Sequence, residues 1–350
     1  MAKKQKDEIK FNYAEQLRRL KENGPERLYF IWGPEDYLSD YFAAEIKKFC
    51  LPEGEDDFSY RKIGEREYSA RLLQEAIDSV PFLSERTFVE VRGLDLNKLS
   101  EDEAEKTVKA LKDIPDYCTV VFIEPGSFEA DKRKKIYKSL SPLWSEHYVT
   151  AQQGDKLVKW IVRRFDAAGK RIEVNAVQRL ISLSGDLMNR LIPEISKIAG
   201  YAKGDVVTVE DVEAVAHHIP EAVVFDMTDS IADKNCGRAL NLLDELLADK
   251  NNEPIALLGM IGYQVRRLYG ARCAADKELG KDYVSKLYGI RYDFLANKLI
   301  ASARKFTSQQ LSQAVRICAE TDYKMKSSTE DPAELLKECV MRIAAGDKYV

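Results

Sequence analysis

The sequence predicts an α/β domain with a parallel sheet, followed by two regions built from helices. Strand-like and helix-like segments alternate through the first 150 residues, the pattern of a parallel sheet flanked by helices. After Thr150 strand signals nearly vanish, and Pro220 opens a third stretch of helical periodicity. The expected parts are residues 1–150, 151–219 and 220–350.

The elements follow in order. A leading helix, Tyr13 to Asn23, carries Leu17 and Leu20 and stops at Asn23-Gly24-Pro25. Leu28 to Trp32 reads as a buried strand, and Tyr37 to Phe49 as a helix with Leu38, Phe42, Ile46 and Phe49 on one face. Phe58 to Ile63 is a short strand. Ser69 caps a helix reaching Ser79, and Thr87 to Val91 is the next strand. A helix from Ser100 to Leu111 precedes the apolar strand Thr119 to Ile123. Helix Lys132 to Leu140 and strand Glu146 to Val149 close the domain.

The second region reads as four helices, Lys156–Ala168, Asn175–Ser184, Asp186–Ala202 and Val209–His217. Thr208 and Asp211 have the spacing of a capping box. The third reads as six helices, Glu221–Ala232, Gly237–Asp249, Pro254–Ala275, Asp293–Lys305, Ser308–Lys326 and Pro332–Ala344, with caps at Thr307 and Asp331. That length is enough for a core of its own.

Composition bounds the function. The 350 residues are 45% hydrophobic and 32% charged, as in an ordinary globular protein. No run of about 18 apolar residues marks a membrane span. The lysine-rich stretch Met1 to Lys10 lacks the apolar core of a secretory signal, so a cytoplasmic location is expected. The six cysteines are far apart without a C-x-x-C pair and read as free thiols. They and the three histidines, His147, His217 and His218, form no ligand set, and no metal or cofactor is expected. Net charge is −5 over residues 1–150, +1 over 151–220 and zero over 221–350. No part is basic enough to bind DNA tightly by bulk charge.

The turn after the first strand carries the most specific signal. A phosphate loop needs G-x-x-x-x-G-K-[ST], with glycine amides cradling phosphate and a lysine neutralising it. This chain keeps Gly33 and the strand–turn–helix layout. Leu38 stands at the second glycine and Ser39 at the lysine, while Glu35 and Asp36 place negative charge where phosphate would sit. The turn has the layout of an ATPase-type fold without its nucleotide chemistry.

Other candidates have plain readings beside functional ones. Glu35 and Asp36 read as solvated residues at a helix N-terminus, where the dipole favours them, rather than as catalytic carboxylates. Glu124, after an apolar strand, reads as a relic of the acidic residue that assists phosphate chemistry. Lys132, Arg133, Lys134 and Lys135 form the densest basic cluster, either a solvated helix face or a DNA or partner contact. Val80-Pro81-Phe82-Leu83 lies at a helix–strand junction, where an apolar cluster with proline forms either a surface plug or a cap on the sheet. His217 and His218 close a helix, and Arg266 and Arg267 are either half-buried packing or a bridge to a neighbouring chain. Ser39 and Ser184 have no histidine nearby in sequence, so no nucleophile–base pair is suggested.

Four stretches in order resemble the delta-subunit family of bacterial DNA polymerase III. They are Tyr29 to Leu38, Val80 to Val89, Gly185 to Ile198 and Val224 to Ile231, within a likeness spanning roughly residues 25–345. The chain departs from the family pattern in its longer charged N-terminus and in Pro81, where an aliphatic residue often sits. The resemblance implies an AAA-type (P-loop NTPase-like) domain, a small helical lid and an all-α collar. It implies a non-catalytic clamp-loader subunit that binds the sliding clamp through Val80, Pro81, Phe82 and Leu83 and opens it. Its implied partners are the ATPase motor subunits and delta prime in a hetero-pentamer, with primer-template DNA inside the complex. An active ATPase with a divergent phosphate loop and a stand-alone DNA-binding protein are the competing readings.

Overall fold

The computed structural model describes residues 11–51, 59–81, 84–152 and 154–346. They divide into two compact units. The first runs to Gln152 and includes Leu187–Asn189, and the second holds the remaining described residues.

In the first unit the order is α1 (Tyr13–Asn23), β1 (Leu28–Trp32), α2 (Asp36–Cys50), β2 (Tyr60–Gly64), α3 (Ala70–Ile77) and β3 (Thr87–Arg92). Then come α4 (Glu101–Lys112), β4 (Cys118–Ile123), α5 (Lys135–Leu140) and β5 (Ser145–Tyr148). The five strands form one sheet in the order β2-β3-β4-β1-β5, and every neighbouring pair is parallel. Phe30 in β1 lies opposite Phe122 of β4 and Glu146 of β5.

Strand position explains composition. β1 and β4 are interior, and all their residues are buried, which is why they read as unbroken apolar runs. β2 is an edge and exposes Arg61 and Lys62. On one sheet face Phe30 stacks on Trp144 with ring centres 4.3 Å apart. On the other, Phe42 meets Tyr29 edge-on at 6.2 Å. Ser69 caps α3 through the Leu72 N–H, as its position predicts.

The second unit contains α6 (Asp155–Ala167), β6 (Arg171–Ile172), α7 (Val174–Ser184), most of α8 (Met188–Tyr201), β7 (Val206–Val207) and α9 (Val209–Val215). It continues with α10 (Pro220–Ala232), α11 (Cys236–Ala248), α12 (Pro254–Asp276), α13 (Lys281–Tyr288), α14 (Asp293–Arg304), α15 (Ser308–Ser327) and α16 (Pro332–Ala345). Capping boxes start α9 at Thr208 and α15 at Thr307, and Asp331 caps α16. One core gathers Met227, Leu243, Ile261 and Leu336, and a second gathers Leu268, Val284 and Leu299. Among the described residues, no helix is long and apolar enough to cross a membrane.

In secondary structure the protein differs from the sequence reading in four places. β6 and β7 form a two-stranded parallel ribbon in a region expected to be helical only. α13 is a further helix, ended by Gly289 in the left-handed conformation at φ +63°. α5 begins at Lys135, so Lys132, Arg133 and Lys134 precede the helix that was expected to carry them. α9 ends at Val215, leaving His217 and His218 in the connection to α10.

Candidate functional site

The turn between β1 and α2 is built by close backbone approach. Gly33 has φ +131°, and a Cβ there would lie 2.3 Å from the Val149 carbonyl oxygen. Only glycine fits such a position. The Glu35 N–H then donates to that same carbonyl at 3.3 Å. Leu38, at the second glycine position of a phosphate loop, is 7% exposed and belongs to the core. Ser39, at the lysine position, is buried, and its hydroxyl donates to the Glu35 carbonyl at 3.2 Å.

Glu35 corrects the sequence reading. It is 0% exposed, not a solvated residue at the helix start. Its Oε2 accepts the Met188 backbone N–H at 3.1 Å. The hydrogen bond from the backbone amide gives this oxygen of the buried carboxyl group a polar partner. Asp36 is bound in the same way. Its Oδ1 accepts the Gly126 N–H at 2.9 Å, and its Oδ2 accepts Asn189 Nδ2 at 3.3 Å. Burial pushes the Asp36 carboxyl above the ordinary range, against the pull of the Gly126 N–H, while the charge of Asp40 raises it further. Three carboxyl oxygens of the turn are therefore engaged with backbone and amide donors, whereas a phosphate loop presents empty donors.

Glu124 follows β4 at the position read as a relic. Its N–H donates to the Ile31 carbonyl at 2.9 Å. The side chain is 1% exposed, and neither carboxyl oxygen has a hydrogen-bond partner among the described residues. Burial, and then the charges of Asp95 and Glu65, push it up to about 9. At neutral pH it is a neutral acid, unlike an ionised metal-holding carboxylate. It lines a cavity of about 370 Å3 with Asp36, Asp40 and Arg92. Arg92 bridges Asp40 at 2.5 Å and also pairs with Glu90.

The apolar loop lies at the other candidate site. α3 ends at Ile77, and the Asp78 N–H closes the helix on the Gln74 carbonyl at 2.9 Å. Val80 is 73% exposed and Pro81 is partly buried. Phe82 and Leu83 lie outside the described residues. The loop's far end is fixed where the Ser84 hydroxyl lies 2.6 Å from both Ser59 Oγ and the Arg86 carbonyl. Thr87 then enters the sheet through the Tyr117 carbonyl at 2.8 Å.

The basic cluster is exposed and internally paired. Lys132 lies 3.0 Å from Glu146, Arg133 lies 2.9 Å from Asp131, and Lys135 lies 2.8 Å from Glu105. Lys134 donates to the Asn97 carbonyl. The serines serve the backbone as well, Ser184 donating to the His217 carbonyl at 2.9 Å. Arg266 is exposed, and Arg267 is partly buried between the Tyr263 and Tyr288 rings. Sequence reasoning assigned no role to Met188 and Asn189. No local signal could have found them, because they stand 153 residues from the carboxylates they meet.

Comparison with known proteins agrees with this architecture. Residues 29–151 match the family described as "DNA polymerase III, delta subunit". Residues 221–343 match "DNA polymerase III delta subunit, C-terminal domain". The chain is 21% identical over 333 residues to the DNA polymerase III subunit delta of Bacillus subtilis (strain 168), covering 93% of this chain and 95% of that one. It is 21% identical over 323 residues to a protein of Aquifex aeolicus (strain VF5) named "Probable DNA polymerase III subunit delta", covering 89% and 90%. The solved structure of the Bacillus subtilis DNA clamp loader delta protein superposes with TM-score 0.51 at 20% identity, covering 95% of this chain and all of that one. The fold is therefore shared with that protein. With both of its characteristic regions matched, the chain belongs to the delta-subunit family of DNA polymerase III.

Proposed function

We propose that the chain is the clamp-opening subunit of a clamp loader and hydrolyses no ATP itself. The observation that carries the second half is Glu35, a buried carboxylate occupying the turn where a nucleotide's phosphates would bind. Binding ATP there would require displacing that carboxylate from the Met188 N–H and bringing like charges together. The competing reading, an ATPase with a divergent phosphate loop, has neither the loop lysine nor the second glycine in the turn to support it.

Clamp binding is proposed for Val80, Pro81, Phe82 and Leu83. The support is the exposure of Val80 and the anchoring of the loop's two ends. A loop tied at both ends loses less entropy on docking than a free one. It can favour an open ring only if it binds that state better than the closed one. Residues 1–150 would carry this contact, 151–219 would form a lid, and 220–350 would join a collar with ATPase motor subunits and delta prime. Primer-template DNA would be held by the assembled complex. For Lys132 to Lys135 a DNA contact is the weaker proposal, because each base already has an internal partner.

Pull-down of a purified sliding clamp by the full chain, alongside an ATPase assay of the same sample, tests the reading. Clamp capture without turnover supports it. Turnover that survives purification and disappears on mutating the Gly33 to Ser39 turn contradicts it.

A further inference from the structure

The second unit contains a cavity of about 310 Å3, the size of a small-ligand site. Its wall carries four bases, Arg179, Arg267, Arg291 and Lys298, against three acids, Asp186, Glu221 and Asp226. Three of the bases have acid partners. Arg179 lies 2.9 Å from Glu213, Lys298 lies 3.6 Å from Asp226, and Arg291 lies 3.0 Å from Asp186. Arg267 has no carboxylate partner among the described residues. Its Nη1 reaches only Gln264 Oε1, at 3.5 Å, and its Nε is buried with no hydrogen bond. Burial lowers its pKa from the usual arginine value.

Arg267 has an explanation in packing that falls short. Its guanidinium lies 5.5 Å from the Tyr263 ring centre and 5.9 Å from that of Tyr288. These contacts stabilise a cation. They leave the Nε–H without an acceptor and the charge without a counter-ion, and both are costly when buried. A second donor lines the same cavity independently. Tyr292 is 6% exposed, and its hydroxyl has no hydrogen-bond partner. Tyr288, by contrast, is satisfied, donating to the Arg266 carbonyl at 3.1 Å.

Two unpartnered donors, one of them on a cation without a carboxylate partner, suit an oxyanion. The flat faces beside Arg267 narrow the choice. Tyr263 is 49% exposed, and exposed tyrosine rings beside an arginine stack well on nucleobases. A plain carboxylate would leave those faces unused. We propose that this cavity is a phosphate-binding site that takes the phosphate of a nucleotide, with its base against Tyr263. The same chemistry is offered by a free nucleotide and by a nucleotide within a single strand.

The test uses the full chain and three probes: inorganic phosphate, a 5′ mononucleotide and a short single-stranded oligonucleotide. Titrations are run on wild type, Arg267→Gln, Tyr292→Phe and Tyr263→Ala, with melting temperatures alongside. The expected result is nucleotide binding stronger than phosphate binding, weakened about tenfold or more by Arg267→Gln and several-fold by each tyrosine variant. Arg267→Gln should melt no lower than wild type, because it removes an uncompensated charge. If it fails to fold, the exposed Tyr263→Ala and the conservative Tyr292→Phe still decide. Oligonucleotide binding with the same variant pattern, and none by the mononucleotide, supports the site with a strand as the source. Absence of binding by all three probes at millimolar concentration overturns the proposal, as does binding that the variants leave unchanged.

Discussion

The Glu35 carboxylate accepts the backbone N–H of Met188 at 3.1 Å, across 153 residues of sequence. A nucleotide-binding relative of this fold would fill the same turn with phosphate. Here the chain's own Glu35 side chain occupies that turn.

Replacing that side chain should weaken the protein without creating a nucleotide site. Glu35→Ala leaves the buried Met188 N–H without its acceptor, at a cost of about 1–3 kcal/mol. Chemical denaturation should show the loss. Equilibrium dialysis with labelled ATP should show no binding gained at this turn, because the lysine and second glycine are still missing.

Gly33 should tolerate no side chain. Gly33→Ala places a methyl group 2.3 Å from the Val149 carbonyl at φ +131°. The combined clash and strain should cost about 2 kcal/mol or more. A fall in melting temperature of several degrees checks this. An unchanged value would mean the turn relaxes freely.

Glu124 should make stability fall as pH rises. Its pKa is about 9 in the folded chain against an ordinary 4.5, so the folded state holds a proton that the unfolded state releases. Its stabilising contribution is therefore complete below about pH 4.5 and is lost progressively toward pH 9. Glu124→Gln is neutral throughout and should flatten that slope. At pH 8 the variant should gain several kcal/mol relative to wild type, about 1.4 for each pH unit above the ordinary carboxyl value, and at pH 4 almost nothing. Melting curves across this range decide it.

The sequence revealed those parts of the fold that depend on local signals. β1 and β4 announced themselves as apolar runs because interior strands are covered on both faces. Ser69, Thr208, Thr307 and Asp331 were legible as caps because capping is a bond within three residues. α13 was missed because only Val284 is buried along its eight residues, leaving little periodicity to detect. β6 and β7 are two residues each and carry no alternation. At the turn, the absence of phosphate-loop chemistry was legible, but the burial of Glu35 was not. Its charge pointed to solvent, and only the fold brings Met188 to it.

Clamp binding by the loop after α3 should be sensitive to Phe82→Ala. Clamp affinity and melting temperature should be measured on the same preparations of the full chain. Removing the ring of a principal anchor should cost about 2–4 kcal/mol of binding, roughly thirty- to a thousandfold in affinity. The melting temperature should hardly move, because an anchor for the clamp owes its energy to the partner and not to the core. Unchanged affinity, or a large fall in melting temperature that marks Phe82 as a core residue, would contradict the account.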